Sequence, residues 1–151
     1  MTSQMPLPDD RPSVVLDSNV VLDWLLFRDP VAAPLGRAIH DDAVRWLATA
    51  AMRHELEHVL TRERFDRWQG SVRDVLDGWD RWAMPLSAPA VPPGALRCSD
   101  PDDQKFIDLA LHCRPARLIS RDKAVLRLAR RARAMSVLIL PPSAWRIEMP
   151  A

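Results

Sequence analysis

The stretch His54-Glu55-Leu56-Glu57-His58 could hold a metal. Two imidazoles at i and i+4 share a helix face, and a carboxylate between them can act as a base. This is the H-E-x-x-H arrangement of zinc-dependent peptide hydrolysis. It needs a third protein ligand, and the remaining histidines, His40 and His112, sit in no recognisable metal motif. A second set of residues points to different chemistry. Asp17, Asp100, Asp102, Asp103 and Asp122 each stand where an apolar run ends or a helix begins, and Glu55 lies one turn into another helix. Acids gathered at one place repel each other unless a cation sits among them. An all-oxygen ligand set favours a hard ion, magnesium or manganese, that keeps several of its waters. Each acid also has a structural explanation. Aspartate is a preferred helix N-cap, which would suit Asp17, Asp100 and Asp122, and Glu55 could be a solvated helix residue. The zinc reading leaves Asp17, Asp103 and Asp122 without a role.

Whether the acids meet depends on the elements that carry them. "SVVL" at 13–16 is a short β-branched run and reads as a buried strand. Val20, Val21, Trp24 and Leu25 then recur at helical spacing, and residues up to His40 read as loop and short helix. "AVRWLA" at 43–48 is a second strand candidate, after which Thr49 can cap a helix with the stripe Met52, Leu56, Val59 and Leu60. Ser71 opens another helix through Trp79 and Trp82. Residues 85–94 hold too many prolines for a helix and suit one short edge strand and a loop. Asp100 followed by Pro101 is a helix start, and that helix runs to about Cys113. "RLIS" at 117–120 reads as a strand, Lys123 to Ala134 as a helix, and "SVLIL" at 136–140 as the last strand, stopped by Pro141 and Pro142. Short apolar strands alternating with helices predict a parallel sheet covered on both faces. Sites in such sheets form beyond the carboxyl ends of the strands, where Asp17 and Asp122 stand.

The 151 residues suit one domain with a hydrophobic core, expected over 13–147 after a flexible arm at 1–12. A net charge of +1 announces no global attraction to nucleic acid, but Arg62, Arg64 and Arg67, and Arg127, Arg130, Arg131 and Arg133, form local clusters able to meet phosphates or simply to solvate helix faces. Two cysteines in no pattern, and no apolar core in the first twelve residues, suggest reduced thiols and a cytoplasmic protein. No apolar run approaches the roughly 20 residues that span a bilayer, so no membrane partner is expected. The six tryptophans fall mostly at apolar helix positions and read as core or interface.

In these residues the chain resembles the PIN-domain ribonucleases, including the toxin components of bacterial toxin–antitoxin pairs. "VVLDSNVVLDWLL" is similar to the family's opening strand, with its acid at Asp17 followed by Ser18 and Asn19. "HELEHVLTRERF" resembles the segment of the second acid, here Glu55, with Leu60, Arg62 and Phe65 following. "SDPDDQKFIDLAL" resembles the third block, with Asp103 as its acid and Asp100 accompanying it. "LISRDKAVLRL" resembles the fourth, with Asp122, and "LILPPSAW" the closing strand, proline and small helix. Two departures stand out: Arg121 occupies a position often held by a small residue, and the loop with Pro89, Pro92 and Pro93 is rigid.

The resemblance implies an α/β fold, a three-layer αβα domain around a mostly parallel sheet. It implies an endoribonuclease dependent on Mg2+ or Mn2+, with Asp17 and Asp103 in direct contact with metal. Asp122 would complete the site through metal or bound water, Glu55 would orient a water, and Asn19, Ser120 and Asp100 would support the ligands by hydrogen bonds. The implied partners are RNA, a cognate antitoxin protein and a second copy of the chain in a homodimer. The main competing reading is a non-catalytic PIN-like scaffold that binds RNA or protein. The zinc metallopeptidase is a remote alternative. A phosphoaspartate enzyme, which would want an acid at Asn19, is another.

Overall fold

The computed structural model describes residues 10–62, 65, 71–90 and 96–147. Residues 1–9 of the expected arm, Arg64 and Arg67 of one basic cluster, and Pro92 and Pro93 lie outside the described residues. Five strands form one sheet: β1 (Ser13–Leu16), β2 (Arg45–Thr49), β3 (Ala83–Leu86), β4 (Ala116–Ile119) and β5 (Val137–Leu140). Their order is β3-β2-β1-β4-β5 and every pairing is parallel. Val14, Val15 and Leu16 are all buried, as are Leu118 and Ile119. Burial on successive residues means that both faces of the sheet are covered, as parallel sheets require.

Among the described residues, seven α-helices cover it: α1 (Ser18–Leu25), α2 (Ala33–His40), α3 (Ala50–Arg62), α4 (Val72–Trp82), α5 (Gln104–His112), α6 (Lys123–Leu126) and α7 (Ala129–Arg133). The result is a helix–sheet–helix arrangement of three layers. Helices α1, α3 and α4 pack on one another, α5 packs on β1 and β4, and α7 on β5. Ser71 caps α4 in a reciprocal box with Asp74, which satisfies two amides that the first turn leaves unpaired.

Most elements lie where the sequence places them, and the boundary differences have physical causes. The second strand begins at Arg45 and runs through Thr49, because Thr49 is in register with Leu86. Thr49 therefore closes a strand as well as preceding α3. The edge strand starts at Ala83, two residues before the proline-rich stretch, and Pro85 is tolerated there because an edge strand has one side without a partner. The helix expected over 123–134 is two short helices. The Leu128 amide reaches back three residues to the Val125 carbonyl, at 3.0 Å, and this tightened turn separates them.

Trp24, Trp46, Trp79 and Trp82 pack together as expected, while Trp68 lies outside the described residues. Trp46 stands edge-on to Trp79 and Trp24, with centroids 4.9 and 5.6 Å away, and Trp24 continues to Trp82 at 5.5 Å. Trp24 lies against the bare backbone of Gly36 on α2, where a Cβ would fall 2.1 Å from its Nε1. No helix among the described residues is long and apolar enough to cross a membrane.

Candidate active site

The strand order makes a crevice. The chain leaves β1 toward β2 and β3 on one side, and β4 and β5 lie on the other. The point where the order reverses is therefore between β1 and β4, and in open parallel sheets the carboxyl end of that gap is where ligands bind. Asp17 directly follows β1, and Ser120, Arg121 and Asp122 follow β4. The Asp17 amide donates to the Ile119 carbonyl at 3.1 Å, so the two strand ends are held together at the crevice.

The capping and clustering explanations of the aspartates both hold. Asp17 caps α1 by accepting from the Val20 amide at 3.0 Å, and Asp122 caps α6 by accepting from the Ala124 amide at 2.8 Å. Asp100 accepts from the Asp102 amide at 3.0 Å and caps the 3-10 turn Pro101–Asp103. A carboxylate has two oxygens, and in each of these residues the cap uses Oδ1. Ligand atoms of Asp100, Asp103 and Asp122 lie within 4.8 Å of one another. Asp100, expected as a supporting residue, thus belongs to the three-carboxylate group.

Asp17 adjoins this group through Ser120. The Ser120 hydroxyl is fully buried, donates to Asp17 Oδ2, and accepts from the Asp122 amide at 3.0 Å. Burial raises the Asp17 pKa, and the bonds from Ser120 and Val20 oppose that rise. Asp103 is the more perturbed group. Burial, then its hydrogen bond with Asp122 and the charges of Asp122, Asp100 and Asp17, push its carboxyl up to about 7. Among the described residues, no donor gives a hydrogen bond to its buried Oδ2. Its hydrogen bond with Asp122 places a shared proton between the two carboxyls.

This is the observation that tests a metal against the site. A buried oxygen with no donor, beside two further carboxylates, is costly as it stands. A hard divalent ion would replace the shared proton and relieve the repulsion, so the donor set fits magnesium or manganese.

Glu55 is held apart by its own partners. Its Oε2 accepts from the Ser18 hydroxyl at 2.6 Å, and its Oε1 from Lys105 Nζ at 2.7 Å. Lys105 also donates to the Asp102 carbonyl. Neither contact is legible in the sequence. Lys105 comes two residues after Asp103, but no spacing rule pairs it with a glutamate fifty positions earlier. Asn19 is exposed on the first turn of α1, with no hydrogen bond to the acids among the described residues. Arg121 makes two bonds, of 2.6 and 3.1 Å, to the carboxylate of Asp23 on α1. The larger residue at this position thereby ties the β4 end to the neighbouring helix.

His54 and His58 are both exposed on α3. Among the described residues, no third histidine, cysteine or acid completes a metal group with them. No curated protein matches the chain. A family model described as PIN domain matches residues 13–124, which includes all four acids of the resemblance and both strands that flank the crevice.

Proposed function

Because the chain belongs to the PIN-domain family, we propose that it is a divalent-metal-dependent endoribonuclease that hydrolyses RNA phosphodiester bonds, and the toxin of a toxin–antitoxin pair. The observation that carries the nuclease reading is the buried Asp103 Oδ2, which lacks a donor within a three-carboxylate group at the crevice of the sheet. Asp103 and Asp122, with Asp100, would hold Mg2+ or Mn2+, and Asp17 would complete the set. A bound divalent ion supplies a water of lowered pKa and stabilises charge at the attacked phosphate. Ser120 fixes the Asp17 carboxylate and the Asp122 backbone together. Glu55, held by Ser18 and Lys105, would accept a hydrogen bond from the attacking water once RNA displaces one of its present partners. The catalytic unit is residues 13–147. The toxin role, the antitoxin and the homodimer rest on the family resemblance, and a cytoplasmic location on the unpatterned cysteines and the absence of an apolar core in the first twelve residues.

The test is cleavage of end-labelled single-stranded and hairpin RNAs by the purified protein, with Mg2+ or Mn2+ and with chelator. Fragments are expected only with metal. RNA retained equally with and without metal, and never cut, would assign the chain to the scaffold reading instead. A small protein encoded next to this chain that co-purifies with it and blocks cleavage is expected for the toxin. Free passage of the two over a sizing column would remove that role.

A further inference from the structure

The sheet has a second polar end, opposite the acids. At the N-terminal ends of β1, β2 and β4 lies a cavity of about 510 Å3 lined by Arg11, Arg45, Arg114 and Arg117, with Asp10 the one acid among its lining residues. These four positive groups face Asp10 and the Asp42 carboxylate, which lies 3.8 Å from Arg11 Nη1, and a formal surplus of two positive charges remains. Two of the arginines are visibly engaged. Arg45 Nη2 donates to the Ser13 hydroxyl at 2.6 Å, and Arg11 Nη1 to the Asp42 carbonyl at 3.4 Å. Arg117 differs. It is 2% exposed, and its Nε and Nη1 are buried with no hydrogen-bond partner among the described residues. Burial accordingly lowers its pKa.

A guanidinium has five donors and no acceptor, and inside a protein it is normally paired. The rest of β4, Ala116, Leu118 and Ile119, is buried and apolar, so nothing in the sheet itself calls for a cation at 117. We infer that this cavity is a binding site for a phosphoryl dianion, free phosphate or the phosphate end of a monoester, with Arg117 at its base and Arg114 at its exposed rim. A surplus of two charges matches a dianion better than a single carboxylate, and guanidinium donors match phosphate oxygens in geometry. No aromatic ring lines the cavity, so a nucleobase would find no stacking surface there. Recognition falls on the phosphoryl group, and the volume leaves room for a substituent. The inference stands apart from the nuclease reading, because the acids lie at the other end of the strands.

Cys113 lines the same cavity, whereas Cys98 does not. The two thiols therefore report on location within one experiment. The full chain, in chelator, is alkylated with a small iodoacetamide reagent, and each cysteine is followed by peptide mass. Inorganic phosphate, and separately a nucleoside 5′-monophosphate, should each slow alkylation of Cys113 by several-fold, with half-protection at comparable concentrations, while the Cys98 rate holds. Chloride at matched ionic strength should protect neither. Unchanged Cys113 alkylation in phosphate would overturn the site. Protection by the nucleotide but not by free phosphate would overturn the phosphoryl assignment.

Arg117→Met removes an unpaired buried charge and is expected to fold at least as well as the parent. It should lose both the protection and the phosphate-dependent rise in Tm that mass action gives a ligand of the folded state. Should that variant not fold, Arg114→Ala, at an exposed residue, carries the comparison, and phosphate affinity should fall several-fold. Full protection in a folded Arg117→Met, or unweakened affinity in Arg114→Ala, would each sink the proposal.

Discussion

Lys105 Nζ lies 2.7 Å from Glu55 Oε1, joining the first turn of α5 to the middle of α3 across fifty positions of sequence. Both side chains are about a quarter exposed, at 26% and 28%. This lysine is a cation paired with one of the four acids, and a metal bound nearby would meet its repulsion, as it would that of Arg121, whose charge acts on Asp17. Lys105→Met should therefore raise the affinity for Mn2+ by roughly threefold to tenfold, the scale of one charge removed a few ångströms away at moderate screening. Stability should change by no more than about 1 kcal/mol, as for other partly exposed ion pairs. Calorimetric titration with Mn2+ gives the first quantity and urea unfolding the second. Unchanged or weaker Mn2+ binding would show that Lys105 does not share the field of the acids.

Asp103 sets a pH dependence in the metal-free protein. Its folded pKa, about 7, lies above the ordinary value of 3.8. As pH rises through that interval the unfolded carboxyl ionises while the folded one keeps its proton. The folded state then binds more protons, so stability falls with rising pH and levels off above about 7. Asp17, also raised, acts in the same direction. Asp103→Asn should flatten the slope and, at pH 8 in chelator, be more stable than the parent by roughly 1–2 kcal/mol after discounting for partial exposure. Denaturant titrations at pH 5 and pH 8 decide it. Parallel pH profiles for the two proteins would refute the coupling.

Removing the charge of Asp17 separates its structural role from its chemical one. Asp17→Asn retains an oxygen able to cap α1. It should abolish metal-dependent RNA cleavage and leave the circular dichroism spectrum unchanged. Ser120→Ala deletes the hydroxyl that links Asp17 to the Asp122 backbone and should lower the rate by about tenfold to a hundredfold. Full cleavage by Asp17→Asn would remove it from the site.

The two readings of residues 54–58 diverge under mutation. Glu55→Gln should reduce cleavage, whereas His54→Ala combined with His58→Ala should largely keep it, since both imidazoles point to solvent. Loss of activity only in the histidine variant, together with stoichiometric zinc in the parent, would reverse the assignment.

On the opposite side of the chemistry, Gly36→Ala puts a Cβ 2.1 Å from Trp24 Nε1. Trp24 must leave its contacts with Trp46 and Trp82, at a cost of about 1–3 kcal/mol. A lower urea midpoint at an unchanged m-value is expected. An unaltered midpoint would mean that Trp24 has room to move.

Strand positions and the acids were legible because each depends on a few neighbouring letters. "SVVL" ending at Asp17 and "RLIS" ending near Asp122 carry their own boundaries, and parallel pairing follows from apolar runs separated by helices. What was hidden depends on residues remote in sequence. The register of Thr49 with Leu86 lengthens β2, the turn at Leu128 splits a run that looks helical throughout, and Lys105 meets Glu55 only because α3 and α5 both reach the same end of the sheet. Asp100 is legible among the acids that could converge, but as a supporting residue, not as an equal member of the three-carboxylate group. A cap and a ligand want the same residue type, and one carboxylate can serve both with different oxygens.

The bond from Ser120 to Asp17 spans 103 positions. A nascent chain displays Asp17 and Glu55 before β4, and the crevice between Asp17 and Asp122 cannot close until β4 has been made and slotted beside β1. The repulsion between Asp122 and the preceding acids is thus deferred until β4 has emerged. A polypeptide stalled before β4 would carry Asp17, Glu55, Asp100 and Asp103 but neither Asp122 nor the crevice that assembles them.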